Sequence, residues 1–151
     1  MNATVEPARA ADLPALARLL GAQFAEHSIE LEPAALREAL RGLVEAPARG
    51  AVLVARDEGG RAVGIACLSY LWTLEHGGLS AWLDELYVTP ACRGRGLGAR
   101  LVREACARAA ADGCAAVDLE VEADHARVER LYAREGFRAH RRARWVKPLR
   151  G

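Results

Sequence analysis

Apolar residues recur along this chain first at helical spacing and then at strand spacing. Leu13, Leu16, Leu20 and Phe24 mark one helical stripe, with Asp12 ahead of it as an acceptor side chain near the start. Leu36, Leu40 and Leu43 mark a second helix that opens at Pro33 and stops before Pro47. From Ala51 the period shortens. AVLVARD reads as a strand, Glu58, Gly59 and Gly60 as a turn, and RAVGIACLSYLW as the returning strand of a hairpin. SAWLDELYV, residues 80 to 88, predicts another strand, and TPACRGRGLG leads from it into a helix whose Leu101, Val102 and Ala105 share a face. Gly113 closes that helix and AAVDLEV follows as a strand, which makes a right-handed strand, helix, strand unit with parallel strands. A short strand at residues 3 to 6, a helix over 126 to 135 ended by Gly136, and strand-like runs near Phe137 and from Arg142 to Pro148 complete the pattern. The predicted fold is α/β: a mixed central sheet, antiparallel in its N-terminal strands and parallel in a central pair, flanked by about four helices.

The chain has 151 residues with no internal repeat and no Ser-, Gly- or Pro-rich linker, so a single domain over 1–151 is expected. A net charge of +1 argues against a nucleic-acid partner held by bulk electrostatics. Cys67, Cys92, Cys106 and Cys114 form no CxxC pair and have no His cluster at ligand spacing, so reduced thiols and no metal are expected. The start MNATVEPARAADL lacks the blocks of a signal peptide, and no apolar run approaches the roughly 18 residues of a membrane span. A cytoplasmic protein without a membrane or nucleic-acid partner is the expectation.

The stretch from Arg93 through Gly94, Arg95, Gly96, Leu97 and Gly98 to Ala99 joins the strand ending at Val88 to the following helix. Glycines let backbone approach a ligand, and the first amides of a helix have no intrahelical partner, so the loop suits a phosphate or pyrophosphate. A tight turn with no ligand is the alternative for glycines in such a place. No Lys-Ser or Lys-Thr follows, which removes the Walker pattern. Gly94, Gly96 and Ala99 satisfy the dinucleotide fingerprint, with Asp118 or Glu120 at the acidic place. Against that reading, five residues separate Val88 from Gly94, and the 57 residues after Gly94 are too few for the remaining strands of a dinucleotide domain.

At these residues the sequence resembles the GNAT superfamily of N-acetyltransferases. That family's pyrophosphate loop has Gln or Arg, then Gly three residues on and Gly or Ala two further, and Arg93, Gly96 and Gly98 fall on it after LYVTP. A second family block follows in order: Leu119-Glu120-Val121 as a strand, His125, Leu131-Tyr132 and Gly136-Phe137. The resemblance implies acetyl-CoA as co-substrate. Backbone groups of Leu86, Tyr87 and Val88 would hold the pantetheine arm and thioester, the loop from Arg93 to Ala99 the pyrophosphate, and Tyr132 would protonate the departing thiolate. The family often has Asn where His125 stands; an imidazole still donates or accepts a hydrogen bond, so His125 is kept as a coenzyme contact.

On the acceptor side, Asp84 and Glu85 sit together on the strand that enters the site. Side chains alternate along a strand, so only one faces the cleft under regular pairing, and a β-bulge would change which. LDELYV resembles a segment of the polyamine N-acetyltransferase branch in which the first acidic position, here Asp84, is the candidate base. Glu26, Glu30 and Glu32 lie between the first two helices, the region that the resemblance implies covers the acceptor cleft, with Glu75, Asp84 and Glu85 near its other side. This distribution favours a cationic acceptor by charge complementarity, and Trp72 and Trp82 would add an aromatic wall. Polyamine, other small amine, aminoglycoside and lysine acceptors all fit. A coenzyme A sensor without catalysis is the reading from another class, and the polyamine branch implies a homodimer.

Overall fold

In the computed structural model, which describes residues 2–122 and 125–150, the elements follow in the order β1 (Thr4–Pro7), α1 (Leu13–Glu26), α2 (Pro33–Glu45), β2 (Gly50–Arg56), β3 (Ala62–Thr73), β4 (Gly78–Val88), α3 (Leu97–Ala111), β5 (Val117–Asp118) and α4 (Ala126–Arg134). The chain divides into two compact units, Met1–Glu120 and Val121–Gly151. The first carries a five-stranded sheet in the order β1-β2-β3-β4-β5. Its first three pairings are antiparallel and β4–β5 is parallel, the mixed sheet expected from the pattern.

One face of this sheet is covered by α1 and α2. Leu16, Leu19 and Leu20 of α1 and Leu36 and Leu40 of α2 bury against Val52, Val54, Ile65, Cys67 and Tyr87, every second residue of their strands. The other face belongs to α3, whose buried Leu101, Val102, Ala105 and Ala109 form the helical stripe. Gly64 allows the close approach there, since a Cβ would meet Leu101 Cδ1 at 3.0 Å and Tyr87 O at 3.2 Å. Among the described residues no helix is long and apolar enough to cross a membrane.

Asp12 stands at the start of α1 without capping it. Its carboxylate instead accepts Arg9 N–H at 2.8 Å and Arg56 Nη2 at 2.5 Å, while Arg56 Nε bonds Glu6 at 2.6 Å. Arg56 reaches Asp12 from the neighbouring strand with side chains only 17% and 10% exposed, a partner invisible to local sequence. Burial alone would raise the Asp12 pKa, but the bonds from Arg56 and Arg9 outweigh it and hold the carboxyl below its ordinary value. The stability this provides is present above the ordinary Asp range and lost as pH falls through the lowered pKa. Arg56→Met is expected to cost about 3 kcal/mol in urea unfolding, because it strands a buried carboxylate. A loss under 1 kcal/mol would mean that solvent replaces the arginine.

Two strand expectations change. The run at 115–121 is a strand only over Val117 and Asp118, with Ala115 N–H bonding Leu79 O and Ala81 N–H bonding Ala116 O just ahead of it, both at 2.9 Å; β4 carries a bulge beyond Trp82 and parallel pairing stops there. The runs near Phe137 and from Arg142 to Pro148 form no strand; a strand exists only as part of a ladder, none of the described strands pairs with them, and Trp145, Val146 and Leu149 lie exposed. In the second unit α4 buries Tyr132, whose ring meets Phe137 edge-on with centroids 5.7 Å apart.

Candidate active site

The site begins where β4 loses a neighbour. Its pairing with β5 ends at Trp82 opposite Asp118, yet β4 continues to Val88 with β3 alone beside it. Leu83 pairs with Leu68 and Glu85 with Cys67, so Asp84 is the extra residue of a β-bulge. Asp84 is exposed and Glu85 half-buried. Directly paired residues share a face, which puts Glu85 with Cys67 and Tyr87 on the α1/α2 side. Burial first, and the charge of Asp84 second, push the Glu85 carboxyl up from 4.5 to about 7.

The hydrogen-bond alternation of an antiparallel pair decides where the backbone of β4 points. Thr89 N–H bonds Val63 O at 2.9 Å, so residues 89, 87 and 85 bond toward β3 while Leu86 and Val88 turn their N–H and C=O groups to the open side. Both carbonyls are taken by side chains: Gln23 Nε2 donates to Leu86 O at 3.1 Å and Arg93 Nε to Val88 O at 2.8 Å. The N–H groups of Leu86 and Val88 are thereby directed into the gap that β5 has left.

Arg93 makes more than this contact. Its Nη2 reaches both oxygens of Glu26 at 2.9 and 3.1 Å, and its guanidinium lies 5.3 Å over the Tyr87 ring. Tyr87 Oη donates to Glu26 at 3.3 Å, and burial, followed by the Glu26 charge, raises the tyrosine pKa. The end of α1, the strand and the loop are thus tied together through one carboxylate.

Beyond Arg93 the chain turns through two left-handed glycines, Gly94 at φ 75° and Gly96 at φ 79°. Gly96 is the N-cap of α3 and no side chain caps it. Arg100 N–H is the first to bond back, to Gly96 O at 3.1 Å, which leaves the amides of Leu97, Gly98 and Ala99 without an intrahelical carbonyl. No atom lies within 4 Å of where a Gly96 Cβ would stand, so glycine is needed for its conformation rather than for space. An uncapped helix start with no acidic residue in its first turn fits an anion such as a diphosphate.

Residues 13–137 match the family model described as the acetyltransferase (GNAT) family. The chain belongs to this family. It is an N-acetyltransferase, as the resemblance implied, with the mixed sheet expected from the pattern. An integron cassette protein from the mobile metagenome of Cole Harbour Salt Marsh has a similar structure, at 28% identity and TM-score 0.85 over 97% of this chain and 91% of its own. An aminoglycoside 6'-N-acetyltransferase from Acinetobacter baumannii aligns at 20% identity and TM-score 0.78 over 99% and 100%. An aminoglycoside N-acetyltransferase in complex with CoA aligns at 16% identity and TM-score 0.83 over 98% and 95%; at these lower identities the likeness is one of fold. The comparison with curated proteins gives no match.

Within the first unit of the acetyltransferase, Asp84, Glu85, Leu86, Tyr87 and Val88 share one strand end, and the run from Arg93 to Ala99 follows it. Tyr132 and His125 belong to the second unit, Tyr132 on the buried side of α4 and His125 at its N-cap, half-exposed, with Nε2 4.0 Å from Glu122. Two roles escaped the sequence pattern. Glu26 is tied to Arg93 and Tyr87, and Gln23 is buried against β4; the signal for Gln23 is a polar residue continuing the stripe of Leu16, Leu19 and Leu20.

Proposed function

We propose that this acetyltransferase moves an acetyl group from acetyl-CoA to a primary amine of a small cationic acceptor, by direct attack in a ternary complex. The observation that carries the reading is Glu85, a half-buried carboxyl raised to about 7 beside the open backbone of Leu86 and Val88. A carboxyl in that range takes a proton at neutral pH far better than an ordinary one. An arriving ammonium favours its charged form, and the proton leaves the amine directly or through one water. Asp84, exposed on the bulge, adds negative charge without facing the α1/α2 side.

The co-substrate has a matching place. The first amides of α3 take the diphosphate, and the N–H groups of Leu86 and Val88 lie along the thioester, where they stabilise charge growing on its oxygen. Acetyl-CoA supplies the activated acyl group. By resemblance, Tyr132 gives a proton to the departing sulfur and His125 contacts the coenzyme. Ile29, Glu30, Leu31 and Glu32 line a surface hollow in the loop after α1 that suits a cation. The resemblance to the polyamine branch makes a homodimer part of this reading, to be checked by light scattering.

The test is thiol release from acetyl-CoA across polyamines, aminoglycosides, amino acids and peptides. Turnover with cationic small amines is expected, and coenzyme binding without turnover on any of them would make the protein a sensor. Tyr132→Phe keeps the ring against Phe137 and removes only the hydroxyl, so kcat should fall by about 10²-fold with coenzyme affinity little changed. Near-normal kcat, with chemistry limiting the rate, would hand that proton to water.

A further inference from the structure

Gln23 continues an apolar stripe. Leu16, Leu19 and Leu20 precede it on the buried side of α1, and at 8% exposure Gln23 is buried with them. A leucine or methionine would fill this place with no polar atom to desolvate, whereas a buried amide must find partners. Half of the amide has one: Nε2 donates to Leu86 O at 3.1 Å. That bond settles the orientation of the amide, since a carbonyl oxygen accepts only from N–H. It leaves Oε1 buried with no hydrogen-bond partner among the described residues.

The place of this unpaired oxygen is informative. The Leu86 carbonyl points to the open side of β4, so the amide of Gln23 lies at that edge, next in the strand to Glu85 and two residues from Val88. We propose that Gln23 positions the acceptor: Oε1 accepts one N–H of the attacking nitrogen. The inference rests on the amine-acetylation reading above and deepens it. A neutral primary amine has two N–H bonds and one lone pair, and attack needs that pair aimed at a carbonyl carbon about 3–3.5 Å away. Gln23 takes one hydrogen and Glu85, after accepting the ammonium proton, holds the other. An amide oxygen is suited to this, because it orients the nitrogen without competing with Glu85 for the proton. Gln23 is a positioning residue for the nucleophile, selective for nitrogens that carry two hydrogens.

The pantetheine arm also carries amide N–H groups, so coenzyme and acceptor are read separately. The probes are 1,4-diaminobutane, its N-methyl derivative assayed at the secondary nitrogen, and coenzyme A in calorimetry. Gln23→Leu is expected to leave coenzyme A affinity within about twofold and to lower kcat/KM for the primary amine by about 3- to 10-fold, the value of one hydrogen bond between neutral groups. The secondary amine, already short of one N–H, loses less, so the preference for the primary amine narrows. Gln23→Met offers the same removal if the leucine variant does not fold. Equal losses on both amines, or none, overturn the proposal and leave Gln23 a structural amide. Weakened coenzyme A binding assigns Oε1 to the pantetheine arm and overturns it as well. A wild-type protein that acetylates neither probe, nor any amine of the wider panel, removes the amine reading itself, and this inference with it.

Discussion

Glu85→Gln is expected to lower kcat by about 10²- to 10⁴-fold at neutral pH, the range that a general base contributes. The substitution keeps shape and removes the carboxylate that β4 holds half-buried opposite Cys67. Asp84→Asn is the matched control on the exposed bulge and should stay within a few-fold of wild type. The pH profile adds a second readout. Wild-type kcat/KM should rise through an inflection near 7, where Glu85 ionises, and the Gln variant should lose that step and recover only as free amine accumulates at higher pH. Stability should move in the opposite direction. Because the folded pKa lies above the unfolded value of 4.5, the folded protein holds a proton that the unfolded chain has released between 4.5 and about 7. Wild-type stability therefore declines as pH rises through that window. The Gln variant should melt with wild type near pH 4.5 and above it beyond pH 7, the mark of a group kept for activity at the expense of stability. Full activity in Glu85→Gln with loss in Asp84→Asn would move the role to the bulge residue.

The double substitution Gly96→Asp and Gly98→Asp is expected to weaken coenzyme A binding by on the order of 10²-fold, since two carboxylates set against a diphosphate cost several kcal/mol. Gly96 would also have to keep φ 79°, which a β-carbon resists. The fold should survive, because acidic side chains at a helix start favour the dipole and satisfy its amides. Gly96→Ala separates the effects by straining the loop without adding charge, and its loss should be the smaller. Calorimetry giving unchanged affinity in a folded double variant would place the diphosphate elsewhere.

The periods of 3.6 and 2 in the apolar residues specified α1, α2, β2, β3, β4 and α3 to within a few residues, because each of these buries one face and burial repeats with the geometry of the element. Loop chemistry was legible too: Gly94 and Gly96 in left-handed conformations between a strand and a helix start are a local requirement, readable from residue type alone. The family followed from those residues and the spacing to Tyr132. Neighbours distant in sequence decided the rest. Asp12 looked like a cap for α1 until Arg56, 44 residues away, claimed its carboxylate. The run at 115–121 alternates well enough for a strand, but a strand needs a ladder, and its pairing with β4 ends at Trp82, just short of the bulge at Asp84. The same bulge at Asp84 fixed which acidic side chain is exposed and which is half-buried. A carboxyl at about 7 and an amide with one unpaired oxygen are products of burial, and burial belongs to the packed sheet and helices rather than to any stretch of the chain.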